Sequence, residues 1–167
     1  MGKLIIVEND KVEGTDKHNV SGTGPNPSGT PPTAPFTGIG DFEYLGKMTD
    51  ELSDFVKIAG KPVALKSSKS SLNPGETTPA GKHVGMAGSN FIPAGPVPTP
   101  TQDPTLSITD PVGEGKPSAS SGSSFVKIDS TAVLLDADKI DTCDGIVPTN
   151  SNSTVTSEKQ DFVSCSE

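Results

Sequence analysis

The chain has 167 residues, a formal net charge of −8 and no arginine. That is the length of one domain, and the charge leaves little support for a nucleic-acid surface, which needs clustered cations and the guanidinium fork. Hydrophobic residues make up only 31%, against 18 Gly and 16 Pro, so any core is thin and calls for a staple such as a metal, a disulfide or a partner.

Residues 3–12 read as a first hairpin, and residues 14–40, rich in Gly, Pro, Ser and Thr around His18, as loop with extended X-Pro pieces. In residues 41–54, Phe42, Leu45, Met48 and Leu52 recur at helix-like spacing, which makes this the one helix-like segment. Residues 55–65 read as a hairpin: Val56 and Ile58 alternate with Phe55 and Lys57, a turn falls at Gly60-Lys61, and Val63 and Leu65 return on the apolar face. A polar turn over 66–71 leads to residues 74–88, where Gly and Pro frame the single His83. Residues 91–104 are Pro-rich and extended, Leu106 and Ile108 suggest a short strand, and 113–124 is a Gly/Ser-rich loop. Residues 125–135 form a further hairpin, followed by an acidic stretch and a tail ending near Cys165.

The two clearest hairpins are copies. Phe-Val-Lys-Ile at 55–58 recurs at 125–128, and Val63 and Leu65 recur as Val133 and Leu135. A fainter copy aligns Leu4-Ile5-Ile6-Val7 with Phe55-Val56-Lys57-Ile58, so that Val12 falls on Val63. Three units near 3–12, 55–65 and 125–135 suggest one fold around a pseudo-threefold axis; two unrelated hairpins plus a strand is the other reading. The run Leu4 to Val7 is too short for a signal-peptide core, and no apolar stretch is long enough for a membrane helix. Synthesis in the cytoplasm is therefore expected, with any exit bypassing the general secretory route.

The soft-metal ligand candidates are His18, His83, Cys143 and Cys165. Each of the first three follows one hairpin copy. If the following loops converge on an axis, two His and two Cys make the closed tetrahedral set of structural zinc. No C-x-x-C or H-x-x-x-H supports this locally. Two exposed histidines, with the cysteines as buried thiols or a Cys143–Cys165 disulfide, remain the alternative, the disulfide being disfavoured inside a cell. Asp136, Asp138, Asp141 and Asp144 invite a calcium reading, but an EF-hand register puts Ile140 and Asp141 where it needs a ligand and a glycine, so a solvated acidic turn is expected. There is no G-x-S-x-G, and Gly22-Thr23-Gly24 and Gly38-Ile39-Gly40 are too short for a phosphate loop. No enzymatic activity is expected.

The hairpin Val56-Lys57-Ile58-Ala59-Gly60-Lys61-Pro62-Val63-Ala64 and the framed histidine of Thr78-Pro79-Ala80-Gly81-Lys82-His83-Val84-Gly85 resemble the PAAR and PAAR-like proteins. These are the pointed tips of contractile injection machines: type VI secretion systems, phage-tail-like particles and contractile phage tails. The literal Pro-Ala-Ala-Arg is missing, as in the PAAR-like branch. The resemblance implies a single all-β domain over 1–167, a loop-rich cone of three pseudo-threefold hairpin units. Its base would cap a trimeric β-helical spike, one monomer per trimer, with effectors as further cargo and with no nucleic acid or membrane span involved. It implies a zinc ion near the vertex; the family's three His and one Cys would here be His18, His83, Cys143 and Cys165. Phe55 and Phe125 are the candidates for the spike-facing surface. The protein would be assembled at the particle tip and delivered extracellularly or into a target cell. A Pro/Gly/Ser-rich, semi-disordered linker or adhesin-like interaction protein is the rival expectation.

Overall fold

Along residues 33–50 every second position faces inward: Phe36, Gly38, Gly40, Phe42, Tyr44, Gly46 and Met48 are buried and their neighbours are not. This period of two belongs to a strand, and the computed structural model has one long strand here, β3 (Thr33–Asp50). The structure describes residues 2–25, 30, 32–76, 83–95, 105–110, 112–142 and 153–165. The loop expected over 14–40 is thus corrected to strand at 14–25 and 33–40, and the helix expected over 41–54 to strand at 41–50. Three of the inward positions are glycine, which hides the apolar alternation, while the helix-like spacing mixes inward Phe42 and Met48 with the half-buried Leu45. The glycines are there for lack of room. A Cβ on Gly40 would lie 2.6 Å from the Phe91 ring, and one on Gly46 would lie 2.5 Å from the Ser71 carbonyl oxygen.

The fold class is all-β, as expected. β3 pairs antiparallel with β2 (Lys11–Pro25) from Lys11↔Lys47 to Pro25↔Thr33. β6 (Lys69–Leu72), β9 (Glu114–Pro117), β12 (Lys139–Asp141) and β13 (Ser153–Thr156) complete a circuit. β3 pairs with β6, β6 with β9, β9 with β12, β12 with β13 and β13 with β2. Six antiparallel strands therefore close on themselves, which leaves this part of the sheet without an edge. β6 and β9 lie in stretches expected to be a polar turn and a Gly/Ser loop. Their inward positions are Ser70 and Gly115, which carry no hydrophobic signal. Beyond the circuit β2 and β3 continue, flanked by β7 (Ser89–Pro93) on β3 and by β8 (Thr105–Ile108) on β2. β8 is the short strand expected at Leu106 and Ile108.

At the other end three segments exchange backbone hydrogen bonds in a ring. Ile6 donates to Leu134 at 3.0 Å, Leu134 to Ala64 at 2.9 Å, and Ala64 to Ile6 at 2.9 Å. Bridges Ile5↔Leu135, Val7↔Val63 and Leu65↔Val133 flank it. Ile6, Ala64 and Leu134 pack upward with Val12, Tyr44, Met48, Ile140 and Val155. Ile5, Val7, Val63, Val133 and Leu135 pack downward around Ile58.

Each ring segment carries a short strand pair. In the repeat copies these are β4 (Lys57–Ile58) with β5 (Lys61–Pro62) and β10 (Lys127–Ile128) with β11 (Thr131–Ala132), inside the expected 55–65 and 125–135. Their turns are Ala59-Gly60 and Asp129-Ser130, all four at positive φ, one residue earlier than the sequence suggested. The third pair is β1 (Lys3–Leu4) with β14 (Ser164–Cys165), so the segment 3–12 does not fold back on itself. The matching register puts Ile5-Ile6-Val7 on Val63-Ala64-Leu65, not Leu4–Val7 on Phe55–Ile58. The true counterpart of Phe-Val-Lys-Ile is Phe162-Val163-Ser164-Cys165 at the far end of the sequence. The three units agree in detail. Val56, Val126 and Val163 carbonyls accept from Val63, Val133 and Ile5 at 3.1, 3.2 and 3.1 Å. Asp10, Ser68 and Asp138 side chains cap the N–H groups of Val7, Leu65 and Leu135 at 2.8, 2.8 and 2.9 Å. Among the described residues no helix is long and apolar enough to cross a membrane.

Candidate metal centre

Asp16 and His18 sit two apart on β2, so both side chains face inward. A third side chain, His83, enters from the segment 83–88, which makes one short 3-10 turn over Gly85–Ala87. The Nε2 atoms of His18 and His83 each lie 3.0 Å from Asp16 Oδ2. All three residues are buried. The site lies between two apolar layers, with Val12, Tyr44 and Met48 below and Val20, Phe36, Phe42 and Leu106 above. The Tyr44 ring meets His83 edge-on at 5.7 Å and Phe42 meets His18 at 5.6 Å. The Tyr44 hydroxyl bonds Ser70 Oγ at 2.9 Å, and burial pushes its ionisation well above the ordinary range.

Behind His18 stands Asp110, just past β8. His18 Nδ1–H donates to Asp110 Oδ1 at 2.9 Å, and Asp110 Oδ2 accepts both the backbone N–H and the Nδ2 of Asn19 at 3.0 Å. A carboxylate holding the far nitrogen of an imidazole fixes its tautomer and aims the other nitrogen. Burial pushes the Asp16 carboxyl up, but hydrogen bonds and charge from His18 and His83 outweigh it and hold the group below the usual carboxylate range. Burial likewise lowers His18, yet bonding and charge from Asp16 and Asp110 raise it above its ordinary value.

In its neutral form, with Nδ1–H bonded to Asp110, His18 turns its Nε2 lone pair toward a carboxylate oxygen. Two acceptors at 3.0 Å need a proton or a cation between them. Asp16 Oδ1 and His83 Nδ1 are buried with no hydrogen-bond partner among the described residues, and each such group left unsatisfied costs about 1–3 kcal/mol. Two imidazoles and a carboxylate, with donor atoms within 4.8 Å of one another, form a buried cluster that could hold a metal ion.

The structure thus brings His18 and His83 together, as expected, and adds Asp16. Cys143 lies outside the described residues. Cys165 does not join the cluster: it is half-buried on β14 against the lower apolar layer, its Sγ 3.8 Å from Ser123 Oγ. Asp16 was missed because Asp-x-His becomes a ligand pair only on a strand, and this stretch reads as loop. Asp110 had no local signal, being 92 positions from its partner. In the acidic stretch, Asp138 accepts from Leu135 and Gly122, and Asp136 from Ser157, so both serve turns. Asp144 lies outside the described residues.

The partner-facing candidates Phe55 and Phe125 are 66% and 73% exposed. Phe162, at the matching position of the third unit and 65% exposed, joins them. Comparisons with protein-family models, with curated proteins and with solved structures returned no match.

Proposed function

We propose that this chain is a PAAR-like spike tip: one copy caps the blunt end of a trimeric β-helical spike in a contractile injection apparatus and sharpens it for entry into a target envelope. The reading is carried by the ring through Ile6, Ala64 and Leu134, with Phe55, Phe125 and Phe162 exposed at its three matching positions. A chain that repeats one surface three times suits a partner with threefold symmetry. Covering the open strand ends of such a spike removes edges that would otherwise pair with other chains. An exposed Phe that becomes buried contributes about 1.5–3 kcal/mol, and the three aromatic contacts act together.

Zinc is the ion proposed for the cluster, held by Asp16, His18 and His83, with Cys143 as the sequence's candidate for a fourth ligand. Its contribution is mechanical: bonds from β2 to a distant segment, in a chain with a thin core. No reaction is assigned to it. On this reading the protein acts outside the cell that makes it, carried at the particle's point, and effectors travel with it.

Native mass spectrometry of the chain mixed with the trimeric spike of the same particle tests the assignment. One tip per three spike chains is expected, with loss of the complex on replacing Phe55, Phe125 and Phe162 together by Ser. Three tips per trimer, or a complex indifferent to the triple replacement, overturns it.

A further inference from the structure

The segment 83–88 crosses the extended part of the sheet as a strap. Its side chains do little to hold it: Met86 is 64% exposed, Ala87 is exposed, Val84 is half-buried, and His83 alone is buried. Its close contacts are backbone laid on neighbours. A Cβ on Gly85 would strike the Leu106 carbonyl oxygen of β8, and one on Gly88 would lie 2.7 Å from the Phe42 ring. Such contacts permit a close fit but bury little apolar side chain. Among the described residues, the hydrogen bonds that anchor it include His83 N–H to the Glu76 carbonyl, 2.9 Å, and His83 Nε2 to Asp16, 3.0 Å. The ring at the opposite end and its two apolar layers contain none of the three cluster residues.

We infer that an ion at Asp16, His18 and His83 is the lock of this strap and not the staple of the whole fold. The inference rests on the metal reading above. Asp16 Oδ1 and His83 Nδ1, unpartnered among the described residues, mark a spot where strap and sheet meet without completing each other's bonding. An ion there ties His83 to β2, and Asp110 ties the same centre to the end of β8. Strap, β2 and β8 are then joined at one point. Remove the ion and the strap keeps one buried imidazole, while the closed circuit of six strands keeps every hydrogen bond it had. Local opening draws on regions with few buried contacts, and the strap, with Met86 and Ala87 exposed, has few.

Hydrogen exchange of the full chain, loaded with Zn²⁺ and then stripped with a chelator, reads this directly. The amides of Val84, Gly85, Met86 and Ala87 are expected to exchange roughly tenfold faster or more after stripping, with Ile6, Ala64 and Leu134 unchanged. Asp16→Asn in the presence of Zn²⁺ is expected to reproduce the stripped pattern. If strap and ring amides speed up together, the ion staples the whole molecule and the lock is wrong. If neither changes although Zn²⁺ is bound, the strap does not depend on the ion and the lock is equally wrong. If metal analysis finds no Zn²⁺ in the wild type after loading, the metal reading falls and the lock with it.

Discussion

Asp110 illustrates how much of this site lies one bond away from the cluster. Its carboxylate fixes the His18 ring through Nδ1 and is itself held by Asn19. Asp110→Asn is expected to weaken metal binding by about 10–100-fold, measured by competition with a chromophoric chelator, while the far-ultraviolet dichroism spectrum stays that of the parent. The buried charges also set a pH dependence for the metal-free chain. Asp16 is held below its ordinary value, so its contribution is present above the unfolded value of about 3.9 and is lost as pH falls through the lower folded value. His18 is raised, so its contribution is full below about 6.5 and is lost as pH rises through the higher folded value. Thermal melts without metal are expected to peak between about pH 4 and 6.5; a melt rising steadily to pH 9 contradicts this pairing. His18 and His83 were legible as ligand candidates because a chain with two histidines offers few others. Asp16 and Asp110 were not, since a carboxylate among many becomes a ligand or its support only through a register that the sequence does not state.

Turns and long strands differed in how openly the residues announced them. The repeated Phe-Val-Lys-Ile hairpins were readable because alternation and turn sit within a dozen residues. β2 and β3 were not, because inward positions filled by Gly38, Gly40 and Gly46 look like loop, and only packing against the Ile92 carbonyl, the Phe91 ring and the Ser71 carbonyl explains them. The paired turns give a test internal to the molecule. At matching positions Gly60 has φ 79° and Ser130 φ 67°. A side chain in the left-handed region costs about 1–2 kcal/mol, partly offset by the greater unfolded freedom of glycine. Ser130→Gly should therefore stabilise the chain by about 0.5–1 kcal/mol, and Gly60→Ser should destabilise it by a similar amount, both read from urea midpoints. Negligible shifts in both would mean that the left-handed conformation carries no such cost at these turns.

At the scale of the molecule, the fold class and two of three units followed from the sequence, and the third escaped because it is divided. Its strands lie at residues 3–4 and 164–165, and Gln160 fastens it by donating to the Ile5 and Val163 carbonyls at 2.7 and 3.0 Å. A repeat search that compares contiguous stretches cannot find a unit assembled from opposite ends. A chain stopped after residue 159 lacks Phe162, Val163 and the whole of β14. It is expected to lose its cooperative thermal transition, followed by dichroism, whereas removing only the last two residues should leave the transition intact.

The pairing of Lys3 with Cys165 also dictates a timetable. Ribosomes deliver residues in order, and the partners of Lys3 and Leu4 are made only after the whole stretch between them. Until that moment Ile5 and the residues beside it have an uncovered flank. Acquisition of the native state is therefore a late, all-at-once event dominated by long-range encounters, which are slow. Splicing the two ends together and opening the loop at Ala59-Gly60 would shift which encounter comes last without altering the final shape.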